Sequence, residues 1–304
     1  MNSNFKNILK IIYLIFIKIV LIPNILFYKK KIFRQDYLEF YNKGYFFIKT
    51  EFVNNFYNKI KNELNSINIE SLIKKNLTNV IDNLNSNDKS KFYSFSIKNQ
   101  FKPSFVDSLD LFLKDKIILN QIYSRLGFEV VMNNFEIYLN HYNSDLDEVG
   151  PKLWHRDDDS LAGQVKLFFI INDLDESSGG FFYFIPRNII KQYQKLDISD
   201  SRKKLDSWNK YRKTDEELKK VINLDKNKLT YGKKNPELLI IDTNDCYHKG
   251  GHIKSESGYR VMVMAVYSPI FNISLYNELY KKFFLYRIFF HILRGLKNRL
   301  RSFY

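Results

Sequence analysis

From about residue 130 onward the chain is written in short apolar runs divided by turn residues, and no other feature limits its fold as much. Residues 136–142, 164–171, 180–185, 238–242 and 259–267 are rich in β-branched and aromatic side chains, with Gly, Pro, Asn, Asp or Ser at their ends. Apolar runs this short, bounded in this way, read as strands rather than helices. The expectation is a mainly β unit with flanking α-helices.

Residues 35 to about 128 read differently. There helical patterns alternate with polar loops, as in residues 52–64, where apolar positions recur at every third or fourth residue. Gly44-Tyr45-Phe46-Phe47-Ile48-Lys49 reads as a short strand just before that helix. Residues 187–235 interrupt the strand series with a charged, mostly helical pattern centred on Ser201 to Tyr211. An insertion of that kind is either a lid facing a substrate or a surface decoration. No internal repeat is present. A chain of 304 residues fits one large domain with appendages, here residues 35–275 with ends at 1–34 and 276–304.

The net charge is +15. The heavy use of Lys and Asn matches the bias of an AT-rich genome, but part of the charge has a location. Residues 8–28 are almost wholly apolar and run into Lys29-Lys30-Lys31 and Arg34; residues 281–304 mix Lys and Arg with large apolar side chains and hold no acid. The second segment reads as a basic amphipathic helix, either lying on anionic lipid or docked on the domain with a polar outer face, and taken together the two ends point to a membrane surface rather than to nucleic acid. No zinc finger or RNA-binding signature is present. Lys10, Lys18 and Pro23 weigh against a true span for the first segment, so an in-plane anchor is expected there, with a span or a buried helix as alternatives. No small-residue cleavage site marks a signal peptide. The single cysteine, Cys246, rules out a disulfide within the chain and suits a reducing compartment. The expected location is cytoplasmic, peripheral at the inner face of a membrane.

The chemistry concentrates in Trp154-His155-Arg156-Asp157, in His248-Lys249-Gly250-Gly251 and in Arg260. On extended backbone residues i and i+2 share a face, so His155 and Asp157 point the same way. His248 is the best third ligand; His252 competes for that place from beyond what reads as a Gly250-Gly251 turn. Two imidazoles and one carboxylate on one face of an iron ion leave three coordination positions open, the arrangement of non-haem Fe(II) oxygenases. Those positions suit a bidentate 2-oxo acid and dioxygen. The distal carboxylate of 2-oxoglutarate then needs a cation inside the protein. Arg260 opens the apolar run Val261-Met262-Val263-Met264, where a guanidinium needs an anion. Lys166 stands in an otherwise apolar strand and either reaches the cosubstrate or an acidic substrate, or points to solvent. Asp158 and Asp159 either order the metal loop or form a solvated turn. Trp154 is expected to shield the site, while His141 and His291 are read as structural or surface histidines and Cys246 as a small core or near-site residue.

In this order the residues resemble the phytanoyl-CoA dioxygenase family of Fe(II)/2-oxoglutarate-dependent oxygenases. The resemblance covers roughly residues 37–270. Besides the segments above it includes Gln164-Val165-Lys166-Leu167-Phe168, Asn172-Asp173-Leu174-Asp175-Glu176-Ser177-Ser178-Gly179-Gly180 and Ile185-Pro186. It implies a double-stranded β-helix (a cupin-like jelly roll) with outer helices. It assigns His155, Asp157 and His248 to Fe(II) and Arg260 to 2-oxoglutarate. Many members carry Gly-Pro where this chain has Gly179-Gly180, and Gly-Ser-His where it has Arg187-Asn188-Ile189, positions near the substrate entrance in such folds. The carboxylate ligand is retained, which disfavours halogenation. The expected activity is hydroxylation of a small organic or lipid-linked substrate with release of succinate and CO2. The competing expectation is a non-catalytic, membrane-associated jelly-roll protein that binds a lipid or sugar.

Overall fold

A computed structural model of the protein describes residues 34–81, 94–126, 130–142, 150–157, 164–193, 212–232 and 236–269. The two terminal segments, the centre of the 187–235 segment, Asp158, Asp159 and His291 lie outside them. Among the described residues no helix is long and apolar enough to cross a membrane.

The longest ladder pairs β3 (Val130–His141) with β9 (Tyr259–Pro269), antiparallel, with a register shift between Met132 and Asn134. β9 also pairs with β4 (Val165–Ile170), and β4 with β7 (Leu238–Ile241). β1 (Tyr45–Ile48) and β2 (Ser94–Ser96) close the edges, giving one sheet in the order β1-β7-β4-β9-β3-β2. A second sheet runs β6-β5-β8, from Leu229–Tyr231, Phe182–Ile185 and Tyr247–Gly250. The isolated bridges of His155 to His248 and Trp154 to Lys213 extend it beyond β8. Along the chain the strands visit the large sheet (β3), the small (154–155), the large (β4), the small (β5, β6), the large (β7), the small (β8) and the large (β9). Two facing sheets wound in that alternation form a double-stranded β-helix, or jelly roll.

The period of two sorts each strand of the large sheet between two cores. Val165, Leu167, Phe169, Leu238, Ile240, Val261 and Val263 pack outward against the helices. Phe168, Ile170, Leu239, Ile241 and Met262 pack inward against Phe182, Phe184 and Tyr231 of the small sheet. β7 is apolar at every position because both of its faces are covered. The outer layer is built from α1 (Arg34–Lys43), α2 (Glu51–Asn65), α3 (Ile69–Ile81), α4 (Pro103–Leu113) and α5 (Lys116–Leu126). Thr50 caps α2 by accepting from the Val53 amide, and Phe56 of α2 stacks on Phe112 of α4 with ring centroids 3.8 Å apart. Tyr231 ties the sheets together: its hydroxyl lies 2.9 Å from the Phe168 carbonyl and 2.7 Å from that of Glu237.

The described parts of residues 187–235 hold α6 (Arg187–Gln192), α7 (Asp215–Lys219) and α8 (Leu224–Asn227), and then β6. The segment is therefore not only helical, because it returns a strand to the barrel. Gly250-Gly251 is not a turn. Gly250 ends β8, and neither glycine has positive φ. The left-handed pair is Gly179-Gly180, with φ 67 and 78°, where side chains would collide with the His252 carbonyl and with Ile253.

Ile240 is fully buried between the large sheet and the helices. Its replacement by Ala is expected to cost about 2–5 kcal/mol in denaturant unfolding. Leu111→Ser, at a side chain 70 % exposed, is expected to change stability by no more than about 0.5 kcal/mol.

Candidate metal centre

His155 and His248 face each other across a backbone pair. The His155 amide donates to the His248 carbonyl at 3.0 Å and the His248 amide returns to the His155 carbonyl at 2.9 Å. Directly opposed residues point their side chains to the same face, and the two rings lie 4.2 Å apart at their centroids. Asp157, two residues on, is held by its amide donating to the Thr243 carbonyl at 2.8 Å. Its Oδ1 lies 3.9 Å from His155 Nε2 and its Oδ2 3.8 Å from His248 Nε2. The three ligand atoms lie within 4.8 Å of one another, and the described residues hold no other such group of His, Cys, Asp and Glu. His252 is not part of it; its carbonyl accepts from the Gly180 amide at 2.7 Å.

The donors are prepared for a metal. His155 Nδ1 lies 2.7 Å from the Leu153 carbonyl, and His248 Nδ1 3.3 Å from the Cys246 carbonyl. A carbonyl accepts only, so in each ring Nδ1 carries the proton and Nε2 turns its lone pair into the site. Burial, then the charges of His248 and Arg212, pushes the His155 pKa well below the usual imidazole value. Burial and the Lys166 charge lower that of His248 against the opposing pull of Asp157. Burial alone would raise the Asp157 pKa; its neighbours His248, Lys166 and His155, with the Lys166 hydrogen bond, outweigh it and hold the carboxyl below its ordinary range. Two neutral imidazoles and an ionised carboxylate fit a divalent cation such as Fe(II).

Lys166 does not point to solvent. It shares the inner face of β4 with Phe168 and Ile170, and its Nζ lies 2.7 Å from Asp157 Oδ2. Arg260 is buried on the inner face of β9 with Met262. Its Nε and Nη2 donate to Asn140 Oδ1, the residue opposite it on β3, at 3.1 and 2.8 Å, and its Nη1 donates to the Gly180 carbonyl at 2.8 Å. A Cβ on Gly250 would come within 3.0 Å of Arg260 Nη2. Gly250 lies two residues after His248 on one face of β8, so the guanidinium occupies the space where Gly250 has no side chain, about 7 Å along the strand from His248. That spacing suits a short dicarboxylate between the metal position and Arg260. Asn172 fixes the backbone on both sides of Arg260: its Oδ1 accepts from the Val261 amide at 2.6 Å and its Nδ2 donates to the Tyr259 carbonyl at 2.8 Å.

Trp154 is not a shield of the site. Adjacent strand residues point to opposite faces, so it packs behind the small sheet with Ile185, Leu218 and Tyr247, and its Nε1 donates to Asp215 at 2.6 Å. Cys246 is buried, 3.6 Å from the Gly44 carbonyl, and burial pushes its thiol pKa up, so no thiolate is available. Besides Asn140, sequence reading missed two charged residues. Arg212 falls opposite His155 in the register set by the Trp154–Lys213 bridge and lowers the pKa of both imidazoles. Arg187 is buried; it pairs with Asp242 and Asp245 and donates to the Tyr41 carbonyl, which anchors the turn that receives the Asp157 amide. Only the unusual Arg after Ile185-Pro186 signalled the second, and nothing local signalled the first.

No protein-family model matches the chain, and no curated protein matches it. Solved structures do. The epimerase SnoN of nogalamycin biosynthesis, in complex with Fe3+, alpha ketoglutarate and nogalamycin RO, is 13% identical over 77% of this chain and 82% of its own, with a TM-score of 0.44. EctD from S. alaskensis, with 2-oxoglutarate and 5-hydroxyectoine, is 14% identical over 79% and 77%, with a TM-score of 0.43. HygX from Streptomyces hygroscopicus, with iron bound, is 14% identical over 79% and 88%, with a TM-score of 0.41.

The lowered imidazole pKa values set the sign of the pH response. Below the unfolded histidine value of about 6.5 the unfolded chain binds protons that the folded site refuses, so stability falls with acid. Urea unfolding of the metal-free protein between pH 7 and 5 is expected to show that slope, and His155→Gln is expected to reduce it.

Proposed function

We propose that this protein is an Fe(II)- and 2-oxoglutarate-dependent oxygenase that hydroxylates a small organic or lipid-linked substrate with release of succinate and CO2. The observation that carries the reading is the inward convergence of His155 Nε2, His248 Nε2 and the Asp157 carboxylate, with both Nδ1 atoms fixed on backbone carbonyls. Similarity of motif order to the phytanoyl-CoA dioxygenase family agrees with it. Bound Fe(II) supplies the coordination positions and redox capacity that dioxygen and a 2-oxo acid require.

The chain's own residues do the rest. His155, Asp157 and His248 would hold the ion through their three converging ligand atoms. Arg260 receives the distal carboxylate of 2-oxoglutarate, held in place by Asn140 and the Gly180 carbonyl. Phe182, stacked against His248 with centroids 5.7 Å apart, and Phe168, 4.4 Å from Phe182, keep water from that side of the ligands. The Arg187 and Asp242 pair keeps the 242–245 turn in place behind Asp157. The basic, apolar ends fit a substrate held at an anionic membrane, with the enzyme bound peripherally.

Anaerobically loaded protein given Fe(II), 2-oxoglutarate and then air is expected to form succinate without added substrate, and Asp157→Ala to fall to background. Metal binding with no 2-oxoglutarate consumed would instead leave a jelly-roll binding protein. Arg260→Leu removes charge-assisted hydrogen bonds and is expected to raise the KM for 2-oxoglutarate about ten- to a hundred-fold. Sedimentation with anionic vesicles is expected for the full chain, and deletion of residues 1–34 is expected to weaken it; equal binding would remove the anchor role of that segment.

A further inference from the structure

We propose that Lys166 is a built-in counter-cation for Asp157, which a metal ion must displace electrostatically and which holds the metal affinity of the site down. The inference rests on the metal reading above and concerns how that site exchanges its ion. Lys166 lies on β4 between Ile241 of β7 and Val266 of β9, on a face it shares with Phe168 and Ile170. An ammonium on such a wall needs a partner. Its Nζ finds Asp157 Oδ2 at 2.7 Å, and the same carboxylate lies 3.8–3.9 Å from both imidazole Nε2 atoms. One buried negative charge thus faces both the Lys166 ammonium and the position between the imidazoles that a metal ion would take. Without metal, Lys166 balances Asp157 and keeps the interior from holding an uncompensated charge. With metal, the divalent ion shares Asp157 with a nearby positive group, which weakens its binding.

A group that merely orients a ligand carboxylate has the opposite effect, since loss of such a partner lowers metal affinity about 10–100-fold. The two roles therefore differ in sign. Mn(II) binding to the full chain, measured by the EPR signal of the free ion, reads that sign without turnover. Lys166→Met is expected to bind Mn(II) about ten-fold or more tightly than wild type. Its metal-free form is expected to melt lower, and Mn(II) to raise its melting temperature by more than it raises that of wild type. Lys166→Arg keeps the charge and is expected to restore the wild-type values. Should Lys166→Met not fold, Lys166→Gln carries the same comparison. Unchanged or weaker Mn(II) binding in the neutral variants overturns the counter-cation role. His155→Ala separates this from failure of the metal reading itself: if it binds Mn(II) as wild type does, the ion is not held at this centre and both readings fall.

Discussion

The exchanged backbone hydrogen bonds between His155 and His248 are the interaction on which the rest of the site depends. A strand pair fixes more than distance. It fixes which face each side chain takes, and so it turns two histidines 93 positions apart in the chain into neighbours with parallel aims. The side-chain chemistry then follows with little freedom. Each ring is locked by a carbonyl two residues upstream, and Asp157 follows His155 by the one spacing that returns to the same face. Disturbing the bridge would scatter all three donors, whereas disturbing one side chain would remove one donor.

The same alternation explains how a barrel wall can be both core and site. Along β4 and β9, odd-numbered positions feed the packing against helices, and even-numbered ones feed the interior. Lys166 and Arg260 are even-numbered, so they sit among Phe168, Ile170 and Met262 without disturbing the outer core. Each is kept inside by a partner within reach: Asp157 for the first, Asn140 and a carbonyl for the second. The polar interior is therefore small and bounded, and the apolar residues next to it supply the low-dielectric surroundings that keep the histidines neutral.

Much of this was legible in the chain. The apolar runs that became β4, β5, β7 and β9 announce themselves because both faces of those strands are covered, or one is covered and the other lies at the site. The His-x-Asp spacing and the distal His point to a shared face for the same reason. What escaped has equally physical causes. β8 reads Tyr-His-Lys-Gly and has no apolar period, since one of its faces carries the site and the other an ion pair with Asp215. β2 and β6 are three residues long, too short for any period to emerge. Gly250-Gly251 looked like a turn because glycine pairs usually are one; here the demand is for room beneath a guanidinium and against the Phe181 carbonyl. Trp154 was read toward the site because it adjoins His155, although adjacency along a strand means the opposite face.

Asn172 carries a last consequence. β4 ends at Ile170, and the amide of Asn172 takes up the ladder where the main chain leaves it, accepting from one neighbour of Arg260 and donating to the other. The seat of that guanidinium is thus set by a side chain that reaches it only through the backbone on either side. An isosteric aspartate there could keep only the accepting half of the link, so, on the role proposed for Arg260, a defect in holding the keto diacid would arise from a residue that looks like a bystander.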